Sequence, residues 1–219
     1  MSELIVEQRS LEWFELRKGK ITSSEIHKIL SNRKELTDIA KTYLLEKVSE
    51  LFGGAPHLSH PNGSKPAALE WGTELEPVAV DYYNNLVKAE VKKASFIIVN
   101  EHYGGSPDGL LLPEGIIEIK CPFSSANHFK HGMIKDDAEF KKVVPAYYYQ
   151  CMSNILCSGA EWCDFISFDP RVQEDYKMFI YRLHRNQEEI DFINQRLDAA
   201  IKYMQELVEK IKESRVTVK

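Results

Sequence analysis

Two carboxylates and a lysine are the residues of this chain best suited to chemistry. Asp108 sits in Gly105-Ser106-Pro107-Asp108-Gly109, and Glu118 and Lys120 sit in Gly115-Ile116-Ile117-Glu118-Ile119-Lys120. β-Branched apolar residues dominate the second stretch, which marks it as a strand. Alternate residues of a strand share a face, so Glu118 and Lys120 point one way while Ile117 and Ile119 point the other, toward a core. Asp108 follows a proline near a turn and can swing in beside Glu118. Two hard oxygen ligands then lie next to an ammonium group. Mg²⁺ is commonly held by one or two carboxylates and keeps several waters. A metal-bound water is acidic enough to supply hydroxide near neutral pH, and Lys120 can position or deprotonate it and offset charge developing on a phosphate. No covalent nucleophile accompanies the group. The matching reaction is metal-assisted hydrolysis of a phosphodiester. Alone, the pattern has a blander reading: Pro-Asp-Gly is a common turn, and Glu-Ile-Lys suits any half-exposed strand.

The elements that must position these residues are legible in outline. Ser10 caps a short helix through Arg17 that ends at Gly19. Thr22-Ser23-Ser24-Glu25 has the form of a capping box and predicts a helix through Ile26, Ile29 and Leu30. A further helix fits Thr37 to Phe52, followed by a Pro/Gly/Ser-rich connector over 54–66. A helical pattern runs from Ala67 to about Leu86, with a kink or break expected near Glu76 because Pro77 follows. Strands are expected over Val91–Asn100, Gly105–Leu112 and Gly115–Cys121. Pro145 to Leu156 reads as a helix with Pro in its first turn and Gly159 past its end. Two strands fit Trp162–Phe168 and Met178–His184. Ile190, Ile193, Leu197, Ile201, Met204, Val208 and Ile211 then mark a long amphipathic helix, expected to pack on its own core. This order predicts an α/β fold, a mixed central β-sheet flanked by helices, formed as one domain over 1–219.

Composition sets bounds. A chain of 219 residues can bury a substantial core. No apolar run approaches a membrane span, and the N-terminal residues lack signal-peptide character. The four cysteines, Cys121, Cys151, Cys157 and Cys163, form no Cys-x-x-Cys pair, which argues against a zinc ribbon. A net charge of −5 means that binding to nucleic acid requires a local basic patch. Lys130, Lys135, Lys141 and Lys142 form one such cluster, diluted by acids. Tyr147, Tyr148 and Tyr149 are expected in the core or at an interface rather than as base-stacking platforms.

Five blocks in order carry a resemblance: Trp13-Phe14-Glu15-Leu16-Arg17-x-Gly19-x-Ile21-Thr22-Ser23-Ser24-Glu25; Leu69-Glu70-Trp71-Gly72 with Glu76; Ser106-Pro107-Asp108-Gly109; Glu118-x-Lys120-Cys121-Pro122; and Ala146-Tyr147 with Gln150. Together with Asp169-Pro170-Arg171, they resemble the phage lambda exonuclease family of PD-(D/E)xK nucleases, which overlaps the YqaJ-type viral recombinases. The resemblance implies a restriction-endonuclease-like core and a Mg²⁺-dependent 5′→3′ exonuclease on double-stranded DNA, with Mn²⁺ as a substitute. It further implies 3′ single-stranded tails for phage recombination, a ring-shaped homotrimer, a single-strand annealing partner and a place in the bacterial host cytoplasm. It assigns Asp108, Glu118, the Ile119 carbonyl and Glu76 to the metal, Lys120 to catalysis and Gln150 to the active site. Asn154 stands where some helicase-linked nucleases have tyrosine. Arg17 and Ser24, with Ser106, match a pocket for the 5′-terminal phosphate. Independent physics agrees, since a helix start attracts anions and a guanidinium fork fits phosphate. Leu69 matches a strand-separating wedge, or else is a core leucine; Arg33 and Lys34, in the loop after the second helix, suit contacts to a DNA backbone or groove. Two alternatives stand beside this reading: a structure-specific endonuclease on the same fold, and a catalytically silent DNA-end-binding scaffold.

Overall fold

The computed structural model describes residues 6–54 and 66–214. The N-terminal stretch Met1–Ile5 and most of the predicted connector, residues 55–65, lie outside the described residues. Helix α1 (Leu11–Arg17) is capped by Ser10, whose hydroxyl accepts from Trp13 N, and Gly19 closes the turn behind it at φ +69. Strand β1 (Ile21–Thr22) leads into a 3₁₀ turn (Ser23–Lys28) rather than the predicted capped α-helix. The physical reason lies in the intended cap. Thr22 Oγ1 lies within hydrogen-bond distance of Arg17 and Ser24 instead of bonding the helix start, and Glu25 pairs with Lys28 instead of reaching back. Helix α2 (Asp38–Leu51) starts at Thr37 as predicted.

Helix α3 (Ala67–Val87) runs unbroken through Pro77, so the predicted break is absent. Pro77 lies on the exposed face, where water can meet the carbonyl that loses its N–H partner. Then follow β2 (Ile97–Asn100), β3 (Tyr103–Gly105), β4 (Gly109–Leu111) and β5 (Gly115–Lys120). Two short helices, α4 (Ser125–Gly132) and α5 (Asp137–Val143), have no counterpart in the sequence reading. Helix α6 (Pro145–Ser158), β6 (Trp162–Phe168), β7 (Met178–His184) and α7 (Gln187–Glu213) complete the chain.

The expected mixed α/β architecture is present, with its strands divided between two sheets. One has the order β1-β3-β2, and the other β4-β5-β6-β7. The division falls at Ser106-Pro107-Asp108, where proline has no N–H to continue a ladder. β5 pairs antiparallel with β4 and parallel with β6, so it is an interior strand. Both of its faces are covered. Ile116 joins a core built with α2, α6 and α7, while Ile117 and Ile119 join a second cluster with Ala79 and Tyr83 of α3. Burying each such isoleucine contributes about 1.5–3 kcal/mol. α7 packs Ile190, Ile193, Leu197 and Met204 of the predicted stripe into the first core, with Val208 and Ile211 partly buried against it, while Ala200 rather than the expected Ile201 joins the cluster.

Candidate active site

β5 presents Glu118 and Lys120 on one face, as its alternation requires. Lys120 Nζ donates to Glu118 Oε1 at 2.6 Å. Asp108 closes the site from the turn before β4. Its N–H donates to the Ile117 carbonyl at 3.0 Å, and its Oδ2 accepts from Ile119 N at 2.6 Å. The turn is thereby stitched onto β5, and the two carboxylates are brought together.

Glu118 is 1% exposed. Helix α6 lies over it and supplies two amides one turn apart. Gln150 Nε2 donates to Oε1 at 2.6 Å, and Asn154 Nδ2 donates to Oε2 at 2.9 Å. Gln150 was expected here. The sequence marks Asn154 only as a departure from a tyrosine pattern, and the one signal for its role is its position one turn after Gln150 on the same helix face. Close approach of these parts depends on Gly105. A Cβ there would come within 2.4 Å of Ser23 Oγ and 2.7 Å of Asn154 Oδ1.

The electrostatics are those of an anionic pocket. Burial, then Glu118 and Glu76, pushes the Asp108 carboxyl well above the usual carboxylate range. Burial also raises Glu118, against the pull of Lys120. Burial opposes the charge on Lys120, but Glu118 and Asp108 outweigh it and hold the lysine above its ordinary value. The Lys120 ammonium also lies 4.9 Å from the centre of the Tyr147 ring.

These residues line one cleft of about 360 Å³, and Leu69, Glu76, Arg17, Ser24, Ser106, Ile119 and Gln150 line it with them. Glu76, on α3, is held by Arg9 of the N-terminal segment at 2.6 Å. Leu69 is 54% exposed, which excludes the core reading for it. Arg17 stacks on Trp13, its guanidinium carbon 4.0 Å from the ring centre. Arg17 Nη2 lies 3.5 Å from Thr22 Oγ1 and 3.4 Å from Ser24 Oγ. Among the described residues no carboxylate lies within ion-pair distance of it, and burial lowers its pKa to about 10. Ser106 Oγ accepts from Trp13 Nε1 at 2.9 Å. Arg33 and Lys34 lie away from this cleft, on an exposed loop whose carbonyls accept from the buried Arg196. A larger cavity of about 630 Å³ shares Trp13, Arg17 and Ser24 with the cleft. Its other cations, Lys18, Lys28 and Lys47, are each paired with an acid. Lys141 of the predicted basic cluster is likewise paired, with Glu189 at 2.6 Å. The tyrosine run follows the core reading, with Tyr148 buried and its neighbours packed against it.

Among the described residues no three His, Cys, Asp or Glu side chains gather closely enough to form a complete metal cage. The donor set still fits a hard divalent cation. Two buried carboxylates repel each other in one pocket, and Mg²⁺ needs only one or two such ligands besides water. Asp169-Pro170-Arg171 has a structural part. Arg171 grips the buried Asp169 carboxylate with two bonds of 2.8 Å, and its guanidinium stacks on Trp71, 4.3 Å from the ring centre.

The family model of the YqaJ-like viral recombinase domain matches residues 12–161. No curated protein matches the chain. Among solved structures, the alkaline exonuclease LHK-Exo from Laribacter hongkongensis is 28% identical with a TM-score of 0.77, over 93% of this chain and 97% of that one. The same enzyme in complex with dAMP matches at 29% identity and a TM-score of 0.78, over the same shares. A phage-related exonuclease from Haemophilus somnus 129PT shares the fold, at 21% identity and a TM-score of 0.70, over 88% of this chain and 96% of that one.

Proposed function

Because the chain belongs to the YqaJ-like viral recombinase family, we propose that it is a Mg²⁺-dependent 5′→3′ exonuclease on double-stranded DNA. Its 3′-tailed product would serve recombination by strand annealing, with a homotrimer as the working assembly and a single-strand annealing protein as partner. The observation that carries this reading is the pairing of Asp108 and Glu118 in one buried pocket, with Lys120 bonded to Glu118. The likeness to alkaline exonucleases over most of both chains supports it.

Asp108 and Glu118 would hold the metal, with the Ile119 carbonyl and Glu76 beside them; Mn²⁺ would substitute. A bound divalent cation supplies an acidified water and a counter-charge for the phosphate. The protein's own residues do the rest. Against burial, Glu118 and Asp108 favour the charged form of Lys120, and Lys120 would position or deprotonate the attacking water and offset charge on the phosphate oxygens. Gln150 and Asn154 fix the Glu118 carboxylate. Arg17 and Ser24, with Ser106 near them, would receive the 5′-terminal phosphate in the same cleft. Anchoring that end while the scissile bond meets the carboxylates lowers the barrier by positioning alone. Exposed Leu69 at the cleft rim would part the strands. Arg33 and Lys34, on their separate loop, would touch the duplex backbone.

One digestion tests the proposal. Linear duplex with a 5′-phosphate should lose nucleotides from its 5′ ends when Mg²⁺ is present, and 5′-hydroxyl ends should react more slowly. Cut closed circles would point to the endonuclease alternative, and DNA binding without product to a silent scaffold.

A further inference from the structure

Among the described residues, three cationic side chains line the cleft: Arg17, Lys120 and Arg9. Arg17 stands at the end away from the carboxylates, and Lys120 is bonded to Glu118 and only 22% exposed. Arg9 is left over from both arrangements. Its side chain is 44% exposed and rests on Glu76, Nη2 to Oε2 at 2.6 Å. A guanidinium carries five N–H donors in a planar fork. Among the described residues, the bond to Glu76 is the one hydrogen bond that this fork makes.

The backbone brings Arg9 there against its own preference. Arg9 has φ +69, in the left-handed region where a Cβ crowds the backbone and glycine fits without strain. Its neighbours hold it in that conformation. Gln8 Nε2 donates to the Pro107 carbonyl at 2.9 Å, next to Asp108, and Ser10 caps α1. A partly exposed ion pair contributes little to stability. The pair with Glu76 therefore does not by itself account for an arginine on a backbone that suits glycine, and strain of this kind gathers at functional sites. What the arginine adds is a cation beside Asp108, Glu118 and Glu76, in a chain of net charge −5. A polyanion lying in this cleft needs such local cations. Glu76 restrains the fork in advance, which lowers the ordering cost of a phosphate contact.

We infer that Arg9 is a second phosphate-binding side chain of the cleft, which donates to a phosphodiester oxygen of the bound strand at the carboxylate end, independently of the 5′-terminal phosphate assigned to Arg17. An arginine fork matches the paired oxygens of a phosphate. The inference rests on the reading that a DNA end lies in this cleft, and it adds a contact to that reading.

Binding of labelled linear duplex to the full chain provides the test. It is measured in chelator, so that no cleavage intervenes, at several salt concentrations and with 5′-phosphate or 5′-hydroxyl ends. Arg9→Gly suits the backbone and removes the fork; Arg9→Lys keeps a cation without the fork. Arg9→Gly should keep the wild-type melting temperature and bind both kinds of end about tenfold more weakly. It should also lower the slope of log affinity against log salt by about 0.9, the value of one phosphate contact. Arg9→Lys should recover the slope but only part of the affinity. Unchanged affinity and slope in Arg9→Gly would overturn the inference and leave the nuclease reading standing. A loss confined to 5′-phosphorylated ends would also overturn it, since Arg9 would then belong to the terminal pocket. Wild-type protein that binds duplex through Arg9 yet digests none with Mg²⁺ or Mn²⁺ would uphold the inference and overturn the nuclease reading. Wild-type protein that binds no duplex would overturn both.

Discussion

The two ends of the cleft are built to opposite designs. At the carboxylate end, Glu118 is buried under α6 with three donors at 2.6–2.9 Å, and the Asp108 turn is stitched to β5. At the other end, Arg17 is largely enclosed between Trp13 and the 3₁₀ turn, yet among the described residues its nearest polar partners are 3.4–3.5 Å away and no acid pairs with it. Bonds of that length are weak. The first end is set before anything binds. The second is a half-buried cation held only by two long bonds, and an anion would complete it. Under the proposed function, the contrast would be a division of labour: chemistry at a rigid end, capture of the substrate terminus at an unsatisfied one.

Substitutions at each end should break the contrast in different ways. Glu118→Gln removes charge from the rigid end while keeping its shape, and should lower the cleavage rate by at least about a thousandfold, the several kcal/mol expected of metal-based charge stabilisation. Single-turnover rates on linear duplex would check it. Arg17→Ala should cost about a hundredfold in kcat/KM on 5′-phosphorylated ends, the value of bonds to a charged group, and little on 5′-hydroxyl ends. Equal losses on both ends would erase the division.

The underside of the rigid end holds a pH-sensitive support. Ser167, paired with Lys120 across β5 and β6, has the ring nitrogens of His128 and His131 at 2.9 and 3.0 Å. Burial, with His128 and Lys120 nearby, pushes His131 down to about 4. The unfolded chain protonates this histidine below about 6.5 and the folded chain does not until about 4. Its contribution is therefore complete above 6.5 and drains away as pH falls toward 4. Between pH 7.5 and 5 it should withdraw about 2 kcal/mol, visible in denaturant midpoints and flattened in His131→Gln. The smallest effect is expected at the seam between the two ends. Ser153 of α6 donates to Ser23 Oγ at 2.9 Å and shares a 2.6 Å contact with Tyr103. Ser153→Ala should destabilise the fold by about 1 kcal/mol in urea unfolding.

What the sequence disclosed differs between the ends for the same physical reason. β5, β6, β7 and α6 were legible because alternation, β-branching and the Pro145/Gly159 punctuation act locally. Asp108, Glu118 and Lys120 were legible because spacing along a strand and turn fixes their faces. The grip of Asn154 on Glu118 was not, since it depends on how α6 is rotated over the sheet. The Arg9–Glu76 pair joins segments far apart in the chain, and no local pattern announces it. α4 and α5 were missed because their short, polar sequences carry little periodic signal. The capping box at Thr22 misled because its side chains found other partners in the folded chain.

The central claim is most directly tested with the double variant Asp108→Asn, Glu118→Gln. Duplex carrying a label at its 5′-terminal nucleotide is followed with and without Mg²⁺, alongside wild-type protein. The account predicts that wild-type protein releases the label as mononucleotide only with Mg²⁺, and that the double variant releases none while still melting as a folded protein. Label released by the double variant at the wild-type rate, or by wild-type protein in the presence of a chelator, would contradict it.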